Sequence, residues 1–350
     1  MKNRTFGLLP ILLAVCLMAA AGFGQFVEDS IEAGGYVRDL VYDYRNGKAI
    51  GVSWDANHLF AINCERNMIY NSTFVLHPLH LTYNSTNGKV YCTHGLGQDD
   101  TVLVARAGDV VPIKRIPVDG AWLPLWDSVS NRVYVSCGER NRVAVIDCAT
   151  DSVIDYIRVG REPLKIHLNT RHHKLYVQNW GDWQGESVSI IDLETNQVIR
   201  TIRLGGVPKA GWYSSVVDKY YCHSTPSEVV VIDGDGDSIA SRIPVFGCAM
   251  SAVGNDASNL VMFGVNVCPG DSLFVVDALG DSVISVLAVG RDPSSLVWSP
   301  FTNYVYSANA GSDNVSVIAG DGSRVLKTIP VADAPFSFAL APRYRRLYVG

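Results

Sequence analysis

Charge is scarce in this chain. Of its 350 residues only 18% are charged, and 29 basic residues are outnumbered by 34 acidic ones. Duplex nucleic acid needs a basic excess gathered into patches, so that class of partner is excluded. Several motifs are also missing. There is no C-x-x-C and no C-x-x-C-H among the 8 cysteines, which excludes a thioredoxin-like site, c-type haem and Cys-knuckle zinc. G-x-S-x-G, G-x-x-x-x-G-K-[ST] and a strand-to-helix G-x-G-x-x-G are absent too. No segment carries a 3.6-residue apolar period, so helices are not expected. Disorder is excluded by a hydrophobic content of 48%.

The start of the chain is different in kind. Lys2 and Arg4 precede an apolar run from Phe6 to Ala20, and Ala19, Ala20 and Ala21 follow as small residues. Residues 1–24 read as a signal peptide, too short and Ala-rich for a membrane span. No later stretch could span a bilayer, so the expected product is exported: periplasmic, at the cell surface or extracellular. Its charge would be near −7, from 27 basic and 34 acidic residues. Export permits disulfides. Seven cysteines remain, an odd number, so at least one is unpaired or pairs between chains.

What is present is a repeat. Eight positions recur at intervals of 41 to 45 residues: Ile50, Tyr91, Tyr134, Tyr176, Tyr221, Met262, Tyr306 and Tyr348. Eight residues before each lies a second column: Tyr42, Tyr83, Trp126, Leu168, Tyr213, Gly254, Trp298 and Leu340. Each unit reads as four short strands separated by turn residues. Ser187-Val-Ser-Ile alternates polar and apolar, whereas Leu273-Phe-Val-Val is continuously apolar, as a strand covered on both faces would be. Such a unit cannot bury both faces alone and must stack on its neighbours. Radial closure gives an all-β propeller of seven or eight four-stranded blades over residues 25–350. The Tyr column is read as core, filling the space between sheets.

The chain resembles the YVTN-type β-propeller repeat proteins through Lys-Leu-Tyr-Val (174–177), Arg-Leu-Tyr-Val (346–349), Arg-Val-Tyr-Val (132–135), Val-Ile-Asp (145–147, 231–233) and the Val-Gly-x-x-Pro joints at 159–163 and 289–293. The resemblance implies a propeller and an exported location, but no single activity. Two closing features are expected. Residues 27–34 align without gaps to 153–160, a fourth strand, so the chain begins with a spare outer strand that completes the last blade. The eighth repeat stops after its second strand, leaving its third strand unaccounted for, and seven blades with a trailing segment is the alternative.

Candidate chemistry lies in the loops. Asp233-Gly-Asp-Gly-Asp237 resembles a calcium loop, but Pro244 stands where a bidentate Glu is required, and a hairpin turn explains it. His94 and His223 end second strands in equivalent phase and are expected on the loop-bearing rim. Trp180, Asp182 and Trp183 lie in the longest such loop, suited to stacking on a sugar or aromatic ligand. Arg161 and Arg291 recur in joints where an anion would be received, each followed by an acid. A Cys248–Cys268 disulfide is expected across two loops of one face. No catalytic set, metal site or cofactor is assigned. The expected function is a scaffold binding a small ligand, glycan or protein on its loop face. The alternatives are a lactonase- or quinoprotein-dehydrogenase-type propeller enzyme with a metal or cofactor at the central channel, and an adhesive segment of a larger surface protein.

Overall fold

The computed structural model describes residues 25–95, 100–181, 186–266 and 271–350, together with the backbone of Leu12–Cys16. Apart from two single-turn 3-10 segments, the described chain is strand and turn. The strands form eight antiparallel sheets of four. Seven are built in simple chain order, spanning residues 37–74, 78–117, 121–158, 163–203, 208–244, 248–288 and 293–330, here blades 1 to 7. Each first strand touches that of the next blade, and the first strand of blade 8 touches that of blade 1, so the ring closes at eight.

Blade 8 joins both ends of the chain. Its order from the axis outward is Phe338–Ala341, Arg346–Val349, Leu12–Cys16 and Val27–Glu32. The spare outer strand falls where the repeat alignment put it. The third place is occupied by Leu12–Cys16, which pairs with Val27–Glu32 on one side and Arg346–Val349 on the other. That strand lies inside the segment read as a leader, whose remaining residues are outside the described ones.

The repeat pattern explains the burial. Third strands such as Arg142–Asp147 are covered along their whole middle, because blades lie against both their faces. Fourth strands such as Ser282–Ala288 form the outer edge, with side chains alternating between exposed and half-buried. Hairpins between strands turn on a residue with positive φ, usually Asn or Asp: Asn67, Asp151, Asn196, Asp237 and Asp281 among them. The Asp233–Asp237 segment is such a turn, since Asp233 Oδ1 accepts the amides of Asp235 and Gly236 at 3.1 and 2.5 Å.

The Tyr column does more than fill space. Tyr134 (blade 3) donates to Asn196 (blade 4) at 3.1 Å, and Tyr221 (blade 5) to Asp281 (blade 6) at 2.8 Å. Tyr348 (blade 8) reaches Asn67 (blade 1) at 3.1 Å. Each acceptor is the positive-φ residue of the next blade's last hairpin. Gly254, the exception in the second column, makes room for the Trp212 indole of the preceding blade.

Candidate functional site

First strands line the axis, and most enter it through a register shift directly after the joint, as between Val37 and Asp39, Pro163 and Lys165, and Ala121 and Pro124. Such a bulge re-aims the side chains it displaces. Here it helps open a funnel at the end of the ring where second strands finish and first strands begin. The cavity measures about 680 Å³.

Its wall is aromatic and cationic. Arg38 (blade 1) lies between two indoles, its guanidinium carbon 5.0 Å from the Trp54 ring centroid and 5.2 Å from that of Trp122. Among the described residues it makes no ion pair, and its Nε is buried without a hydrogen-bond partner. Burial holds its pKa below the ordinary value, against the nearby Tyr36 and Asp39. Lys165 (blade 4) reaches past blade 5 to donate to the Met250 carbonyl of blade 6 at 2.9 Å. Lys165 is half-buried, and this burial, with the positive Lys209 beside it, pushes its pKa down to about 8. Lys209 itself sits 3.4 Å from the centroid of Trp180. His167 lies two residues beyond Lys165 and lines the same cavity. Burial and then the Lys165 charge push it down to about 3, so it is neutral.

The funnel carboxylates are already engaged. Asp39 accepts the amides of Leu40 and Leu81 at 2.8 and 2.9 Å, and its Oδ2 lies 3.4 Å from His80 Nδ1. Asp292 accepts from the Asn266 amide group at 2.7 Å. Among the described residues neither forms an ion pair with Arg38 or Lys165. The funnel therefore sets cationic groups without a paired carboxylate between aromatic faces.

The residues anticipated from sequence scatter around this centre. Trp180 does line the funnel. Asp182, Trp183 and Cys268 fall outside the described residues. Arg161 lines a second cavity, of about 510 Å³, at the junction of blades 2 to 4. Arg291 is exposed, with its amide donating to Ser312. His94 and His223 are buried instead of standing on the rim. His94 Nε2 accepts from Arg115 Nη1 at 2.8 Å and also lies against the Thr101 hydroxyl, and burial plus the Arg115 charge push it to about 4. His223 Nε2 faces the Val245 carbonyl at 3.3 Å, and burial likewise pushes it to about 4. Among the described residues no three His, Cys, Asp or Glu side chains converge as metal ligands. Cys248 is a half-buried thiol whose Sγ is 3.8 Å from Met250 Sδ.

Arg38, Trp122, Lys165 and His167 were not anticipated from sequence. The available signal was charge in a first strand: Arg38-Asp39 and Lys165 occupy phases that hold apolar or small residues in most other repeats.

The fold itself is shared. A chain described as Kuenenia stuttgartiensis hydrazine synthase superposes with a TM-score of 0.67 at 16% identity, over 82% of this chain and 96% of that one. "Dihydro-heme d1 dehydrogenase NirN in complex with DHE" superposes with a TM-score of 0.72 at 11% identity, over 95% of this chain and 76% of that one. This chain is a β-propeller. No protein-family model and no curated protein matches its sequence. Identities this low carry the propeller architecture and nothing about activity.

Proposed function

We propose that this propeller is an exported, YVTN-type binding scaffold that holds an anionic small molecule with a flat apolar body in its central funnel. The observation that supports this most is Arg38. A guanidinium stacked between Trp54 and Trp122, without a carboxylate partner and half-buried at a 680 Å³ cavity, is a costly arrangement that an incoming anion would relieve. Lys165 and Lys209 add positive charge, and Trp122 and Trp180 offer ring faces to the ligand's body.

The test is titration with 2-naphthoate, an anion with a flat ring system, followed by tryptophan fluorescence. Saturable binding is expected, weakened about 10-fold or more in Arg38→Ala, since a hydrogen bond to a charged group is worth about 1.5–3 kcal/mol. Equal affinity in both proteins would refute the assignment.

The second reading, a propeller enzyme with a cofactor at the channel, is favoured by one feature: an amine and a neutral imidazole, Lys165 and His167, share the ligand cavity. NirN, of the same fold, is described as a dehydrogenase in complex with DHE.

A further inference from the structure

Among the lysines, Lys165 is set apart by its environment. Most side-chain amines in this protein either reach solvent or are held by carboxylates: Lys89 by Asp151 at 2.6 Å, Lys174 by Asp237 at 2.9 Å and Lys219 by Asp281 at 2.8 Å. Lys165 has neither. It lines the funnel, its one hydrogen bond runs to the neutral Met250 carbonyl, and no carboxylate lies within ion-pair distance among the described residues. Its charged neighbour is Lys209, and the imidazole beside it, His167, has an Nε2 that is buried and unpartnered. Partial burial, a like charge and no paired anion together raise the share of free amine above that of an exposed lysine. The fraction of this amine that is deprotonated near neutral pH faces the ligand cavity and is a nucleophile.

We propose that Lys165 is a carbonyl-capturing residue, forming a Schiff base with aldehyde- or ketone-bearing anions that enter the funnel. The Nζ lone pair attacks the carbonyl carbon and a C–N bond forms. One amine proton passes to the carbonyl oxygen, giving a carbinolamine. Loss of that hydroxyl with the remaining amine proton releases water and leaves a C=N bond. No oxidant or reductant is consumed. Arg38, from the opposite side of the ring, would hold the anionic end, and the aromatic wall the body. This inference rests on the funnel being the binding site, and it adds the ligand's reactive group.

The experiment uses the full chain and pyridoxal 5′-phosphate, an aromatic, anionic aldehyde, at one equivalent. Cyanoborohydride then reduces any imine, and peptide mapping locates the secondary amine. Lys165 is expected to carry most of the label, at least fivefold above any exposed lysine such as Lys114 or Lys327. Lys165→Arg, which keeps the charge and the reach, should abolish it without moving it to Lys209. Circular dichroism of that variant confirms folding. Label spread over surface lysines, or retained in Lys165→Arg, overturns the proposal. The parallel 2-naphthoate titration separates the two ideas. Naphthoate binding without Lys165 labelling sinks only the carbonyl capture, whereas labelling of Lys165 without naphthoate binding sinks only the anion-scaffold reading.

Discussion

Tyr91 Oη donates to Asp151 Oδ1 across a blade boundary at 2.7 Å, and Asp151 Oδ2 accepts from Lys89 at 2.6 Å. Tyr221, Lys219 and Asp281 repeat the arrangement three blades later, with distances of 2.8 Å for both bonds. The acceptor is also the positive-φ residue of its hairpin, φ 50° at Asp151 and 49° at Asp281. One Asp therefore both turns its own blade and latches the previous one. Blades 1 and 6, where Ile50 and Met262 replace the Tyr, lack this latch.

Removing the latch should be felt in stability. Tyr91→Phe leaves the buried Asp151 carboxylate without one donor and should cost about 1.5–3 kcal/mol. Tyr134→Phe, whose acceptor Asn196 is neutral, should cost about 1 kcal/mol. Urea denaturation of both variants checks the order, and equal losses would show that acceptor charge is irrelevant.

His173 should make stability depend on pH. Its ring lies 2.8 Å from Asp127 Oδ2 and 2.7 Å from Glu194 Oε1. Burial opposes its charge, but these two hydrogen bonds and carboxylates outweigh burial and raise its pKa above 6.5. A raised folded-state pKa gives stability that is complete below the unfolded value and is lost as pH rises through the folded value. His173→Gln should therefore lose most against the parent at pH 5.5 and least at pH 8.5. A gap that widens with pH would contradict the assignment.

Gly254 should not tolerate a side chain. A Cβ there would meet the Trp212 indole, so Gly254→Ala should cost about 1–3 kcal/mol by overpacking. A shift in tryptophan emission should accompany it. A neutral effect on both would mean that Trp212 moves aside freely.

Ring closure should show in a double-mutant cycle. Arg346 binds Glu28 through two bonds, Nε to Oε2 at 2.7 Å and Nη2 to Oε1 at 2.6 Å, tying the outer strand of blade 8 to its second strand. The pair is mostly shielded from solvent, so a coupling of about 1–3 kcal/mol is expected between Glu28→Gln and Arg346→Gln. The exposed Arg106–Asp109 pair should couple by about 0–1 kcal/mol.

Most of the fold was legible in the chain itself. A 42-residue period, alternating and continuous apolar runs, and Asp or Asn at turns are local properties, and local sterics and burial translate them directly into four-stranded blades. The alignment of residues 27–34 with a fourth strand even marked where the ring is tied. Blade number was not legible, because it depends on whether the first strands of blades 8 and 1 meet and on what fills the third place in blade 8.

The site was legible only in part, and for a physical reason. Sequence phase says which strand a residue occupies, so Trp180 was found; it does not say which way a bulge turns that residue. His94 and His223 end their strands as foreseen, yet packing buries them. Arg38, Trp122 and Lys165 lie 43 to 127 residues apart, and only the closed ring and the bulges after each joint bring them to one cavity. The sequence determined the blades; tertiary closure decided which charges are left without partners, because burial and pairing belong to the assembled ring and not to any one repeat.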